Sequence, residues 1–183
     1  MKIGILSIGQ VDSQIIERIR ENLNTILPKT TLAPMTKPLP TPEEAYDETR
    51  QQYNADIILN RIRNHTEKEK NLDKILAITD CDIFTPQLSF IFGKAEYPGK
   101  IALISLHRLR QEFYGKNPNA ELFLERSVKE SVHELGHTLG LRHCPNPFCV
   151  MYFSNSIFET DRKQSLFCSK CYTRIEDNLN NQA

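Results

Sequence analysis

The segment 133–151, "HELGHTLGLRHCPNPFCVM", carries three of the chain's five histidines and two of its five cysteines. His133, Glu134 and His137 spell H-E-x-x-H. On a helix, residues four apart lie about one turn, roughly 6 Å, above one another, so both imidazoles can reach one metal ion from the same face. Glu134 is rotated about 100° from His133, which sets a carboxylate beside such an ion without making it a ligand. Gly140 can adopt the left-handed conformation that ends a helix and turns the chain back, making His143 the natural third ligand. Three neutral imidazoles leave one exchangeable position, the arrangement of catalytic rather than structural zinc. Zinc so held would bring the pKa of water towards 7, with Glu134 taking the proton during attack on a carbonyl and passing it later to a leaving amine. The blander readings are surface histidines beside an unrelated third, or a zinc site without chemistry. A base placed next to the ligands has no structural purpose, which favours chemistry.

Cys144 and Cys149 are separated by four residues and Cys168 and Cys171 by two, spacings that structural zinc sites use. Four thiolates fill a tetrahedral shell, so a second zinc held here should staple rather than react. It would tie the segment after the histidine motif to the start of the last helix, a stretch with little apolar material to hold it. The alternatives are four independent reduced cysteines, or redox chemistry by "CSKC", which lacks a thioredoxin-like context. Cys144 could instead close the open position of the first metal, but the cysteine set would then be one short of four. The expectation is two zinc ions per chain, one catalytic and one structural. Cys81 stands apart and reads as an ordinary buried thiol.

The elements that must position these groups belong to a chain of 183 residues, long enough for one well-buried core. A single domain over 1–183 is expected, with sheet and helices through 141 and the cysteine staple and a last helix in 142–183. Lysines plus arginines number 23 and so do aspartates plus glutamates, leaving no field to hold a polyanion, so nucleic acid is not an expected partner. "MKIGILSIGQ" is too short and too glycine-broken for a secretory segment, and no apolar run approaches the roughly 20 residues of a membrane span. A cytoplasmic monomer with reduced thiols follows as the default. No pro-segment precedes the first strand, so a removable inhibitor is not expected.

Ile3, Ile5, Leu6 and Ile8 form a buried strand ending at Gly9, and Asp12 caps a helix carrying Ile15, Ile19, Leu23 and Ile26 that stops before Pro28. "TTLAPM" suits a second strand, and the proline-rich run after it leads into a short acidic helix. Asn54 can cap a helix through Ile58 and Ile62, although β-branched isoleucines make a strand a rival. "DKILAITD" reads as a buried strand, and "LSFIFGKA" and "KIALISLHRL", joined by "EYPG", as an antiparallel hairpin. A long helix is expected over about 118–141, with Leu124, Val128, Val132 and Leu135 buried. A polar Ser/Asn segment follows, then a helix from about Ser169 with Ile175 and Leu179 on one side.

Taken together, the residues resemble the archaemetzincins (archaelysins), a branch of the metzincin zinc peptidases. His133, Glu134, His137, Gly140 and His143 match the metzincin motif, and Cys144, Cys149, Met151, Cys168 and Cys171 match the pattern peculiar to this branch. Similarity extends through "ITDCDIF", "FIFGKA" and "ISLHRL". The resemblance implies an α/β (α+β) fold, a compact domain with a twisted, mostly parallel five-stranded sheet, an antiparallel edge strand, an active-site helix and a C-terminal helix. It implies that Met151 forms a Met-turn beneath the catalytic zinc. It also implies that Phe90, Ile91, Phe92, Gly93, Lys94 and Ala95 form the edge strand along which a peptide or protein substrate aligns, by backbone pairing with little sequence preference. The expected activity is zinc-dependent peptide hydrolysis; the rival is a zinc-stabilised module that holds peptides without cutting them. His107 on a predicted strand, His65 in a charged loop and Arg142 are read as structural or surface residues. Tyr152 is left between packing and oxyanion stabilisation.

Overall fold

A computed structural model describes residues 1–27, 29–35 and 37–180. In chain order the elements are β1 (Lys2–Ile8), α1 (Ser13–Ile26), β2 (Thr31–Pro34), β3 (Tyr46–Asp47), β4 (Gln52–Asn54), α2 (Ala55–Thr66), β5 (Lys74–Thr79), β6 (Ile83–Thr85), β7 (Leu88–Ile91), β8 (Gly93–Ala95), β9 (Ile101–Ser105), α3 (Ala120–Thr138), α4 (Ile157–Arg162) and α5 (Ser169–Asn180). The main sheet has the order β2-β1-β5-β9-β8. Its pairings are parallel except that β8 runs antiparallel to β9 at the edge. This is the sheet that the family resemblance implies.

The three central strands are buried on both faces, as a parallel sheet covered by crossover helices requires. Alternation sorts their side chains. Ile3, Ile5, Leu76, Ile78, Ala102 and Ile104 pack against α1 and α3 on one face. Leu6, Ile8, Ile75, Ala77, Ile101 and Leu103 pack against α2 on the other. Asp12 and Asn54 cap α1 and α2 by accepting from the backbone N–H groups of Gln14 and Asp56. The helical reading of the Asn54 segment therefore holds, because its isoleucines face the sheet at helical spacing.

Several expectations need correction. The run "LSFIFGKA" is two strands, not one: β7 pairs with β6 in a small second sheet of order β3-β4-β6-β7, while β8 pairs with β9. Phe92 is the crossing point, its carbonyl accepting from Ser105 N–H at 2.8 Å. Helix α3 is shorter at both ends than 118–141, since Asn119 caps it and Gly140 breaks it. The acidic helix is a single 3-10 turn, Glu43–Ala45. His107 opens another such turn rather than lying on the strand, and His65 sits in the last turn of α2 rather than in a loop. The polar segment after Met151 contains α4, closed by a capping box between Ser156 and Glu159. Cys81 is half-buried, not buried. Pro28 and the side chain of Leu179 lie outside the described residues. Among the described residues no helix is long and apolar enough to cross a membrane.

Candidate metal centres and the cleft beside them

The C-terminal turns of α3 present His133 and His137 with their Nε2 atoms 3.1 Å apart. Gly140, at φ 85°, then reverses the chain. The reversal is closed by Gly140 N–H donating to the His137 carbonyl and Leu141 N–H to that of Gly136, both at 3.0 Å. It brings the His143 ring to centroid distances of 5.4 Å from His133 and 4.8 Å from His137. The three potential ligand nitrogens all lie within 4.8 Å of one another.

The outer nitrogens are spoken for. His133 Nδ1 donates to the Val150 carbonyl and His137 Nδ1 to that of Leu141, each at 2.7 Å, which leaves Nε2 as the free nitrogen on both rings. Two nitrogens bound at about 2.0–2.1 Å to a tetrahedral ion lie roughly 3.3 Å apart, close to what the first pair shows. Burial pushes all three imidazoles below their ordinary range, with His137 adding to the effect on His143, which falls to about 4. Neutral imidazoles are the form that binds metal. The donor set thus fits zinc with one position left open.

Met151 is fully buried against the helix that carries His133 and His137. A Cβ on Gly136 would stand 2.5 Å from its Sδ. Glycine inside a helix costs about 0.5–1 kcal/mol relative to alanine, and here the missing methyl is what admits the thioether against α3. Three donors from outside hold the end of the helix: Lys74 Nζ on the Thr138 carbonyl at 2.9 Å, Asn178 Nδ2 on that of Leu139 at 2.9 Å, and Tyr97 Oη on that of Gly140 at 3.3 Å. These satisfy carbonyls that a helix terminus otherwise leaves orphaned.

Glu134 sits beside the histidines, 5% exposed. A Cβ on Gly93 of β8 would lie 2.6 Å from its Cγ, so the edge strand is packed directly against this side chain. Burial, and after it the Glu130 carboxylate, push Glu134 well above the usual carboxylate range, while Lys163 and Lys94 act in the opposite sense. A dication bound beside it would also draw it down.

A cleft of about 870 Å³ runs past these groups between β7–β8, α3 and residues 153–155. Phe90, Ile91, Phe92, Gly93, Lys94 and Ala95 all line it, although they come from two strands and the link between them. Tyr152 does not line it; Tyr97 does, its ring 6.3 Å from that of His137 and its hydroxyl accepting from Arg142 Nε at 3.2 Å. Arg142 is exposed, as read from the sequence, but it too borders the cleft. Glu130 and Ser154, not singled out by sequence reasoning, complete one wall.

The four cysteine sulfurs also lie within 4.8 Å of one another, with Cys144 and Cys168 Sγ 3.8 Å apart. Sulfurs bound at about 2.3 Å to a tetrahedral zinc are separated by roughly this distance. Burial raises the Cys149 and Cys171 thiols. It opposes ionisation at Cys168 as well, but the Cys171 N–H and the neighbouring thiols outweigh it and bring Cys168 to about 7. Cys144 N–H donates to the Met151 carbonyl at 2.9 Å, so the strip joining the two centres is pinned on itself. Cys144 groups with the other cysteines, and His143 with the other histidines.

Comparison with known proteins follows this geometry. A profile of peptidase family M54 matches residues 2–177. The archaemetzincin of Pyrococcus furiosus is 40% identical over 178 residues, covering 96% of this chain and 92% of that protein. The crystal structure of archaemetzincin from Methanopyrus kandleri superposes with a TM-score of 0.85 at 38% identity, covering 98% of this chain and 96% of that one. A zinc-dependent peptidase from Methanocorpusculum labreanum gives 0.83 at 31% identity, covering 94% and 99% respectively.

Proposed function

Since the chain belongs to peptidase family M54, the archaemetzincins, and is a zinc metallopeptidase, we propose that His133, His137 and His143 hold its catalytic zinc and that Glu134 is the general base. Cys144, Cys149, Cys168 and Cys171 hold a second, structural zinc, for two ions per chain. A zinc ion on three neutral imidazoles supplies Lewis acidity towards a scissile carbonyl and lowers the pKa of water in its remaining position. The observation that carries the reading is the placement of the Glu134 carboxylate, buried on the wall of the cleft that the three histidines also line and packed against Gly93.

The chain's own groups do the rest. Glu134 accepts the proton of the attacking water on its carboxylate and returns it to the leaving amine nitrogen. The Val150 and Leu141 carbonyls hold the ring orientations of His133 and His137. Among the described residues, strand β8 ends the main sheet with one side unpaired, so a peptide can add to it by backbone hydrogen bonds as a further strand. Met151 and Gly136 make a close-packed floor that keeps the helix and the turn at fixed separation.

Substitution Glu134→Gln tests the assignment. Zinc content should stay at two per chain while kcat for a quenched-fluorescent peptide falls by about 10²–10⁴. Unchanged turnover would remove Glu134 from the chemistry. Unchanged peptide binding with no turnover in the zinc-loaded wild type would point to a module that only holds peptides.

A further inference from the structure

We propose that Glu130 is a specificity-determining residue, forming with Ser154 a polar subsite for a hydrogen-bond-donating side chain on the substrate residue that follows the scissile bond. The proposal rests on the hydrolytic reading above and assigns the substrate class of that same site.

Direction comes from the edge strand. β8 runs from Gly93, packed on Glu134, towards Tyr97, packed on His137. A peptide pairing antiparallel to β8 runs the opposite way, so its residues after the scissile bond lie towards Phe90 and the earlier turns of α3. Glu130 is one turn before Glu134, about 6 Å along the helix, and lines the cleft, as Ser154 does.

The polar atoms there are incompletely satisfied. Glu130 is 3% exposed, and its Oε1 takes both partners that the fold provides: the ammonium of fully buried Lys163 at 2.9 Å and the Thr160 hydroxyl at 3.3 Å. Among the described residues Oε2 accepts no hydrogen bond, and the buried Ser154 hydroxyl has no partner. Lys163 reaches Glu130 from the far side of the wall, just beyond α4, and the same face of α3 binds α4 through Arg126 to Asp161 at 2.7 Å. The carboxylate is therefore tied through Oε1 to an ion pair behind it, whose ammonium makes no hydrogen bond of its own among the described residues. A subsite meant for aliphatic side chains would gain nothing from a carboxylate oxygen and a hydroxyl on its wall. A hydroxyl, amide or ammonium donor would complete both, an aliphatic side chain would desolvate them without replacement, and an acidic one would be repelled.

The test uses zinc-loaded protein and peptides that differ only in the residue after the cleaved bond: Ser, Gln or Lys against Leu and Glu. In the wild type, kcat/KM for the donor peptides should exceed that for Leu and Glu by at least about tenfold. The Glu130→Met/Lys163→Met double variant replaces the pair with apolar side chains of similar length, an exchange that buried ion pairs commonly tolerate, and should reverse the order in favour of Leu. Ser154→Ala, which leaves the ion pair intact, should reduce the donor preference severalfold. The same peptides titrated into Glu134→Gln protein report the subsite without turnover. A donor preference in binding, even with no turnover in the wild type, supports the subsite while counting against hydrolysis. Absence of the preference in both assays, or a preference unchanged in the double variant, overturns the proposal.

Discussion

Replacing Gly93 by alanine would drive the edge strand into the base. The new Cβ would stand 2.6 Å from Glu134 Cγ, 2.7 Å from its Oε1 and 2.8 Å from the Leu103 carbonyl oxygen. Carbon atoms pack at about 3.5–4.0 Å, so roughly 1 Å must be found. The Leu103 oxygen belongs to the ladder between β8 and β9, so clearing it takes a small shift of β8. The flexible partner is Glu134, whose side chain must take up most of the displacement and leave its present position. A displacement of about 1 Å in a catalytic group can cost around 100-fold in rate, and overpacking of this kind costs about 1–3 kcal/mol of stability. The imidazole nitrogens are not touched. Zinc content should therefore match the wild type while kcat for a quenched-fluorescent peptide falls by about two orders of magnitude. In a Glu134→Gln background the same substitution should add little further loss, because the group it displaces is already disabled. A Gly93→Ala enzyme with kcat within about threefold of wild type would refute the claim that edge strand and base are in contact.

Lys74→Met should strip the ammonium from the carbonyls of Gly99 and Thr138, lowering stability by about 1–3 kcal/mol in urea denaturation while leaving zinc content unchanged. Cys168→Ser should reduce zinc from two ions to one by atomic absorption. The same variant should lower the melting temperature by roughly 10 °C, since the segment it frees has few apolar contacts of its own.

The chemistry was legible in the sequence wherever it is local. His133, Glu134, His137, Gly140 and His143 are related by helical pitch and one chain reversal, so spacing alone predicts their convergence, and the cysteine pairs work the same way. The wall of the cleft was not legible, because its logic joins distant positions. Nothing at Glu130 announces Lys163, 33 residues later and fully buried. Gly93 and Gly136 act through the side chains opposite them, Glu134 and Met151, and a glycine carries no sign of what it makes room for. Phe90, Ile91 and Phe92 are apolar without a break, so the run through them reads as one strand. Its switch from the small sheet to the main one is set by pairing partners, not by pattern. Tyr152 stands out in the sequence because it follows Met151, whereas Tyr97 reaches the cleft from a hairpin turn that sequence distance conceals. Helix α4 did carry a local signal, the capping box of Ser156 and Glu159, outweighed by the polar composition around it.

The proposed hydrolysis depends on three imidazoles sharing one zinc with room left for a reacting oxygen, beside a second ion enclosed by sulfur. A crystal structure with anomalous differences recorded at the zinc edge tests it directly. Two peaks per chain are expected, one bound by Nε2 of His133 and His137 and a ring nitrogen of His143 with solvent in the fourth position next to Glu134, the other amid the sulfurs of Cys144, Cys149, Cys168 and Cys171. A single shared peak, or a cysteine sulfur in the fourth position of the histidine site, would contradict it.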